Sequence, residues 1–255
     1  MHNESDNKIK ELKDRIQELE DKIEELEGKT RQRERIDKPC VLAVEGDDER
    51  VFLTRIAKRE GLQEKIQIWP FGGRSSLPDK MRAIVTTPGF SQNVVSLGVV
   101  MDAEENADGA YQSVCGALES AKLSAKREKL VPVPEAPKLD ILILPGDNRR
   151  GALETVCLDS VEDKPAMTCV NEFSECVKKE WIKELRRGKD QGVDGEEREP
   201  PVAKLHKMRA HAFLASIYEK PEIRLGEAAG KENGWDLSQK AFDEIKAFLN
   251  GLVES

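Results

Sequence analysis

Between Lys8 and Glu27 the apolar side chains fall at Ile9, Leu12, Ile16, Leu19, Ile23 and Leu26, and every remaining position is polar. The 3-4-3-4-3 spacing is the a/d register of a heptad repeat, which predicts a coiled-coil helix within residues 1–30. A stripe this narrow cannot be hidden by one helix alone. Ile at a with Leu at d favours two parallel strands, hence a homo-oligomer, with a dimer preferred. Arg15 with Glu20 and Lys22 with Glu27 are attractive g-to-e pairs, whereas Lys8 with Lys13 repels. The alternative is a single helix lying along its own domain. Gly28 ends the helix, and residues 31–38 form a charged linker.

Beyond the linker, short, mostly apolar runs alternate with segments of helical period. The runs are Val41–Val44, Ile66–Trp69, Val94–Met101 and Leu139–Leu144. Between and after them, Asp48–Glu60, Leu77–Val85, Ala107–Ala121 and Ala152–Val161 carry apolar residues three or four apart. Continuous apolar strands separated by amphipathic helices predict an α/β core at 39–164, with a parallel sheet covered on both faces. From 165 to 255 the pattern is helical, at Asn171–Arg187, Ala203–Tyr218 and Leu237–Leu252, and it reads as a C-terminal extension completing the domain. A charged, turn-rich stretch at 188–201 interrupts it, while a Pro-rich loop (Pro132, Pro134, Pro137) precedes the fourth run of the core.

Composition narrows the class. Lys and Arg number 41 against 49 Asp and Glu, a net charge of −8, which argues against binding nucleic acid by bulk charge alone. No stretch approaches the roughly 20 apolar residues that cross a bilayer, and the N-terminus is charged throughout, so a cytoplasmic protein is expected. Five cysteines, with no C-x-x-C pair, predict buried free thiols instead of disulfides or structural zinc.

In an open parallel sheet, ligands bind beyond the carboxyl ends of the strands. Here those ends carry acids. Val44 is followed by Glu45-Gly46-Asp47-Asp48-Glu49, Met101 by Asp102-Ala103-Glu104, and Leu144 by Pro145-Gly146-Asp147-Asn148. Acids crowded into one cleft raise each other's pKa unless a cation neutralises them, and Mg²⁺ or Mn²⁺ suits all-oxygen donors. Gly46 is expected to permit a tight turn, Glu49 to lie one helical turn beyond Glu45, and Asp102 and Glu104 to point the same way on an extended segment. Loop acids also serve as helix caps, the reading that suits Asp47 and Asp48.

These blocks resemble the Toprim signature, a glutamate after the first strand and a DxD after the third. The Glu45/Glu49 pair resembles the branch of overcoming-lysogenization-defect (OLD) nucleases. The stretch from about Pro39 to Leu252 resembles small, uncharacterised prokaryotic Toprim-like proteins. The shared blocks are a "PDN…G-x-LE" matched by Pro145–Asn148 with Gly151–Glu154, and a helix ending in "PLGQA" matched by Arg224–Ala228. Glu104 replaces the second Asp, and Gly146 is inserted. The resemblance implies a Toprim (Rossmann-like) fold, metal held by Glu45, Glu49, Asp102, Glu104 and Glu154, and catalysis by Glu45 and Lys207. It also implies cleavage of DNA or RNA, an ATPase partner protein and a place in phage defence.

The residues leave other readings open. Net charge, Glu104 and the heptads suit a catalytically weak binding or scaffold module that assembles through its coiled coil. Phosphate-ester chemistry on a small nucleotide is a third reading. Gly72-Gly73-Arg74-Ser75-Ser76 is either a phosphate cradle or an ordinary turn with a serine cap. Lys204, His206, Lys207, Arg209 and His211 form the dense basic cluster of the chain. The heptad reading predicts that a chain begun at Ile36 scatters light as a smaller species than the full chain; equal masses would remove it.

Overall fold

The computed structural model describes residues 35–123, 137–190, 200–220 and 222–254. The heptad segment, the linker up to residue 34, Pro132 and Pro134, and residues 191–199 lie outside them. Four strands form one parallel sheet: β1 (Cys40–Val44), β2 (Ile66–Pro70), β3 (Ser96–Asp102) and β4 (Lys138–Leu144), in the order β2-β1-β3-β4. Cys40 is level with Ile66 on one side and Ser96 on the other, while Ser96 is level with Lys138. The chain leaves β1 in one direction to reach β2 and then returns past β1 to build β3. The strand order therefore reverses between β1 and β3, and a crevice opens at their carboxyl ends.

The period-2 geometry of the strands divides their side chains between two cores. Val41, Ala43, Leu97, Val99 and Met101 point to one face. There α2 (Leu77–Thr86), α3 (Phe90–Asn93) and α4 (Ala107–Ser120) cover them with Met81, Ile84, Phe90, Val114 and Leu118. Cys40, Leu42, Val44, Val100, Leu142 and Leu144 point to the other. That face is covered by α1 (Asp47–Arg59), α5 (Leu153–Asp159), α6 (Pro165–Asp190), α7 (Val202–Ile217), α8 (Leu225–Ala228) and α9 (Asp243–Val253). Two aromatic contacts anchor this larger core. Phe213 stacks on Trp235 at 5.3 Å and Phe52 meets Phe242 at 5.6 Å. The Trp235 indole N–H donates to the Leu225 carbonyl at 3.1 Å, so burying it leaves no polar group unpaired. Among the described residues no helix is long and apolar enough to cross a membrane.

The α/β class and the covered parallel sheet agree with the pattern of the sequence, while several local expectations do not hold. The helix expected at Asn171 starts at Pro165, because proline at a first helical position costs no hydrogen bond. The last helix spans only Asp243–Val253. Ahead of it, Asp236 accepts from the backbone N–H and hydroxyl of Ser238, a local turn that competes with helix. Arg224–Ala228 does not end a long helix: Leu225–Ala228 is a separate turn packed on α1. Neither Asp47 nor Asp48 caps α1; Gly46 holds the cap position, and Asp47 pairs with Arg50 at 2.9 Å. Cys40 and Cys157 are buried thiols, but Cys169 and Cys176 are exposed on α6.

Gly226 marks the closest approach of α8 to α1. A Cβ there would stand 2.6 Å from the Asp48 carbonyl oxygen and 2.8 Å from Val51 Cβ. Gly226→Ala should therefore cost about 1–3 kcal/mol, the usual range for overpacking, and lower the urea midpoint. An unchanged midpoint would show that α8 does not hold this position.

Candidate metal centre

β1 and β3 are hydrogen-bonded neighbours that end on the same edge of the sheet, so Glu45 and Asp102 meet there. The Asp102 backbone N–H points at Glu45 Oε2 at 3.4 Å. The loop after β2 folds over the same point: the Gly72 and Gly73 N–H groups donate to the Glu45 carbonyl at 2.9 and 3.2 Å. Those amides are thereby used, which decides against the phosphate cradle weighed for this loop. Neither of its serines caps the following helix through a side-chain bond. Arg74 instead reaches back to the Asp102 carbonyl at 3.2 Å.

Gly46 is needed for a reason other than the expected turn. Its backbone is extended, with φ −139° and ψ −176°. A Cβ there would lie 2.7 Å from Glu49 Oε2, so the missing side chain leaves room for the Glu49 carboxylate to fold back toward Glu45. Glu104 also departs from expectation. β3 ends at Asp102, and Glu104 is exposed in the left-handed region with φ 50°. The extended-strand argument pairing it with Asp102 therefore fails. Its backbone exchanges two hydrogen bonds of 2.7 Å with Gly151, which ties the end of β3 to the start of α5. That tie brings in Glu154. Asp102 Oδ1 accepts the Leu153 N–H at 3.1 Å, and Glu154 follows directly.

The result is a carboxylate cluster in poor solvent contact. Asp102 is 4% exposed and Glu154 9%. Burial first, then Glu49, Glu154 and Glu45, push the Asp102 carboxyl well above its ordinary range. Glu45 is raised by burial and by Glu49 and Glu104, although the Asp102 N–H opposes the shift. Glu49 is raised by burial and by Asp48, against hydrogen bonds from its own and the Gly46 backbone. Glu154 is raised by burial, against its own backbone N–H and Lys207. One carboxylate oxygen of Glu154 is buried with no hydrogen-bond partner.

The cation facing this cluster is Lys207, on α7. Its side chain is exposed; what burial it has works against its charge, but Glu154, Asp102, Glu104 and Glu49 outweigh that and hold the ammonium above the usual lysine range. The rest of the basic cluster disperses around the helix. His206 Nδ1 meets Thr155 Oγ1 at 2.7 Å, Arg209 bonds Asn171 Oδ1 at 2.7 Å, and Lys204 sits 4.0 Å over the Trp181 ring. His211 is exposed. Burial, followed by Arg209, lowers the His206 pKa. Arg74 and Arg209 stood in segments the sequence singled out, but the contacts that they and Thr155 make had no signal in its spacing, because each joins distant segments.

Among the described residues, no three His, Cys, Asp or Glu groups form a ready metal cage. The donor chemistry still fits a hard divalent cation: the acids offer only oxygen, and one buried oxygen of Glu154 is unpartnered. Mg²⁺ retains several waters and takes one or two carboxylates directly, so a closed cage is not required.

A family model described as "Protein of unknown function (DUF3226)" matches residues 39–254. The chain belongs to this family. The match takes in every strand and helix of the described fold and leaves out the heptad segment. Among the curated proteins nothing matches. Two solved structures of the C-terminal region of the OLD protein of Xanthomonas campestris pv. campestris are similar at 13% identity. One has a TM-score of 0.41 over 85% of this chain and 97% of that one; the other has 0.40 over 85% and 96%.

Asp102 supplies a sign-definite test. A raised carboxyl pKa means that the folded protein binds the proton more tightly than the unfolded chain. Stability attributable to this group is lost as pH rises through the folded pKa and regained as pH falls toward about 4. Asp102→Asn keeps the acceptor for Leu153 but no charge. In EDTA its melting temperature should exceed wild type near pH 8, with the gap closing as pH falls toward 4. A variant less stable than wild type near pH 8 would contradict the assignment.

Proposed function

We propose that this protein is a Toprim-like, Mg²⁺- or Mn²⁺-dependent nuclease. The observation that carries the reading is the convergence of Glu45, Glu49, Asp102 and Glu154 at the β1/β3 crevice, with the unpartnered oxygen of Glu154 among them. Glu45, Glu49, Asp102 and Glu154 would hold the cation, with the exposed Glu104 at the rim. Such a cation neutralises a phosphodiester and lowers the pKa of a bound water. The chain's own groups do the rest. Glu45, at the end of β1 beside the Asp102 N–H, would accept the proton of the attacking water. Lys207 offsets negative charge that grows on the phosphate oxygens. Asp102 anchors α5 through Leu153 and so fixes Glu154 beside it. In this reading residues 39–164 form the catalytic core, 165–255 complete it by bringing Lys207, and 1–30 assemble two chains. The substrate is DNA or RNA, and action as a phage-defence effector beside an ATPase partner belongs to the same proposal.

One observation favours a second reading. Lys207 already faces the acids, so the cluster has an internal counter-charge, as a binding or scaffold module without catalysis would need. Cleavage separates the two. Plasmid, single-stranded DNA and tRNA should be cut with Mg²⁺ or Mn²⁺ and left intact in EDTA. Glu45→Ala and Asp102→Ala should abolish cutting, and Lys207→Ala should slow it on the order of 100-fold. No cleavage of any substrate, or full activity in both acid variants, would leave the module reading.

A further inference from the structure

A cavity of about 270 Å³ lies between α6 and α7, beside the acidic crevice but separate from it. Its size is below the roughly 300–1,000 Å³ of sites for drug-sized ligands, and polar side chains line it beside Leu205, which suits a small charged group. Asn171, buried Ser174 and Lys178 come from α6, and His206 and Arg209 from α7. The acid in its wall, Glu175, is exposed. Arg209 is the informative member. Arg209 is half-buried in the cavity wall: one terminal guanidinium nitrogen donates to Asn171, its Nε is buried behind the wall with no acceptor, and the other terminal nitrogen is the donor left for a ligand. A buried guanidinium N–H without a partner is costly, and the planar fork of arginine matches the oxygens of phosphate. Thr155 takes Nδ1 of His206, so Nε2 is the ring nitrogen a ligand would meet.

The cavity and the crevice are joined through two pairs of adjacent residues. Glu154 faces the acids and Thr155 holds His206; Lys207 faces the acids and His206 lines the cavity. We propose that this cavity is an oxyanion site that seats a phosphate of the nucleic-acid backbone next to the cleavage crevice. The site itself follows from the cavity and Arg209. The nucleic acid as the phosphate's owner rests on the function proposed above.

The test uses the full chain in two arms. Inorganic phosphate should shift the His206 imidazole resonances in wild type and leave them unmoved in Arg209→Gln. A fluorescein-labelled single-stranded oligonucleotide, with Ca²⁺ in place of Mg²⁺, should bind at least about 10-fold more weakly to Arg209→Gln, with the salt slope reduced by about one. Lys178→Gln should repeat the loss without touching the Arg209–Asn171 bond, which guards against a folding defect in the first variant. If phosphate leaves His206 unmoved in wild type, or shifts it equally in Arg209→Gln, the oxyanion site is overturned. If phosphate binds but both variants hold the oligonucleotide like wild type, the backbone-phosphate assignment is overturned. Cleavage that survives either result leaves the proposed function standing. A phosphate-dependent shift without any nuclease activity keeps the site and removes that function.

Discussion

The constraint that organises this molecule is the cost of keeping Asp102 ionised at the end of a buried strand. A carboxylate that is 4% exposed, with Glu45, Glu49 and Glu154 around it, is opposed both by desolvation and by like charge. The fold meets part of that cost locally. The Leu153 N–H bonds Asp102, the Asp102 N–H approaches Glu45, and Lys207 faces the group from α7. What is left over, including a buried oxygen of Glu154 with no partner, is negative charge in want of a counter-ion. Acids held together against both costs are what the proposed metal centre accounts for.

The sheet makes such a collection possible. β1 and β3 are adjacent and parallel, so two segments 57 residues apart deliver their acids to one edge. The loops then close around them by backbone bonds, from Gly72 and Gly73 to Glu45 and between Glu104 and Gly151. Gly46 contributes by lacking a side chain where the Glu49 carboxylate lies. Gly151 does the same for Thr155, with φ 135°. Gly146, in the loop after β4, has φ 96° and lies against the Glu244 carboxylate, where a side chain would not fit.

The helical region after residue 164 is part of the same physical unit as the sheet. Phe213, Leu214, Trp235, Leu249 and Leu252 share one core with Leu42, Val44 and Leu142. α7 is therefore held firmly enough for its polar positions to face different neighbours: Lys207 the acids, His206 Thr155, and Arg209 the α6 wall. A basic cluster that is continuous in sequence becomes several separate contacts in space, because successive residues on a helix are about 100° apart.

Much of this was legible in the chain itself. The short apolar runs at Val41–Val44, Val94–Met101 and Ile141–Leu144 alternate with amphipathic helices, a pattern that suits strands covered on both faces, so the parallel α/β class followed from periodicity. Glu45 and Asp102 stood out because they abut the first two of those runs directly. Where side-chain chemistry outweighed periodicity, the pattern misled: Asp236 and Ser238 formed a turn inside an apparent helix, and Glu104 left the strand whose period seemed to aim it. What only the tertiary structure decided was every relation across the chain. These include the fold-back of Glu49 over Gly46, the use of the Gly72 and Gly73 amides, the hold of Thr155 on His206, and the unpaired nitrogen of Arg209. Periodicity records which face of an element is apolar; it carries no record of which distant backbone or side chain will stand opposite a polar one.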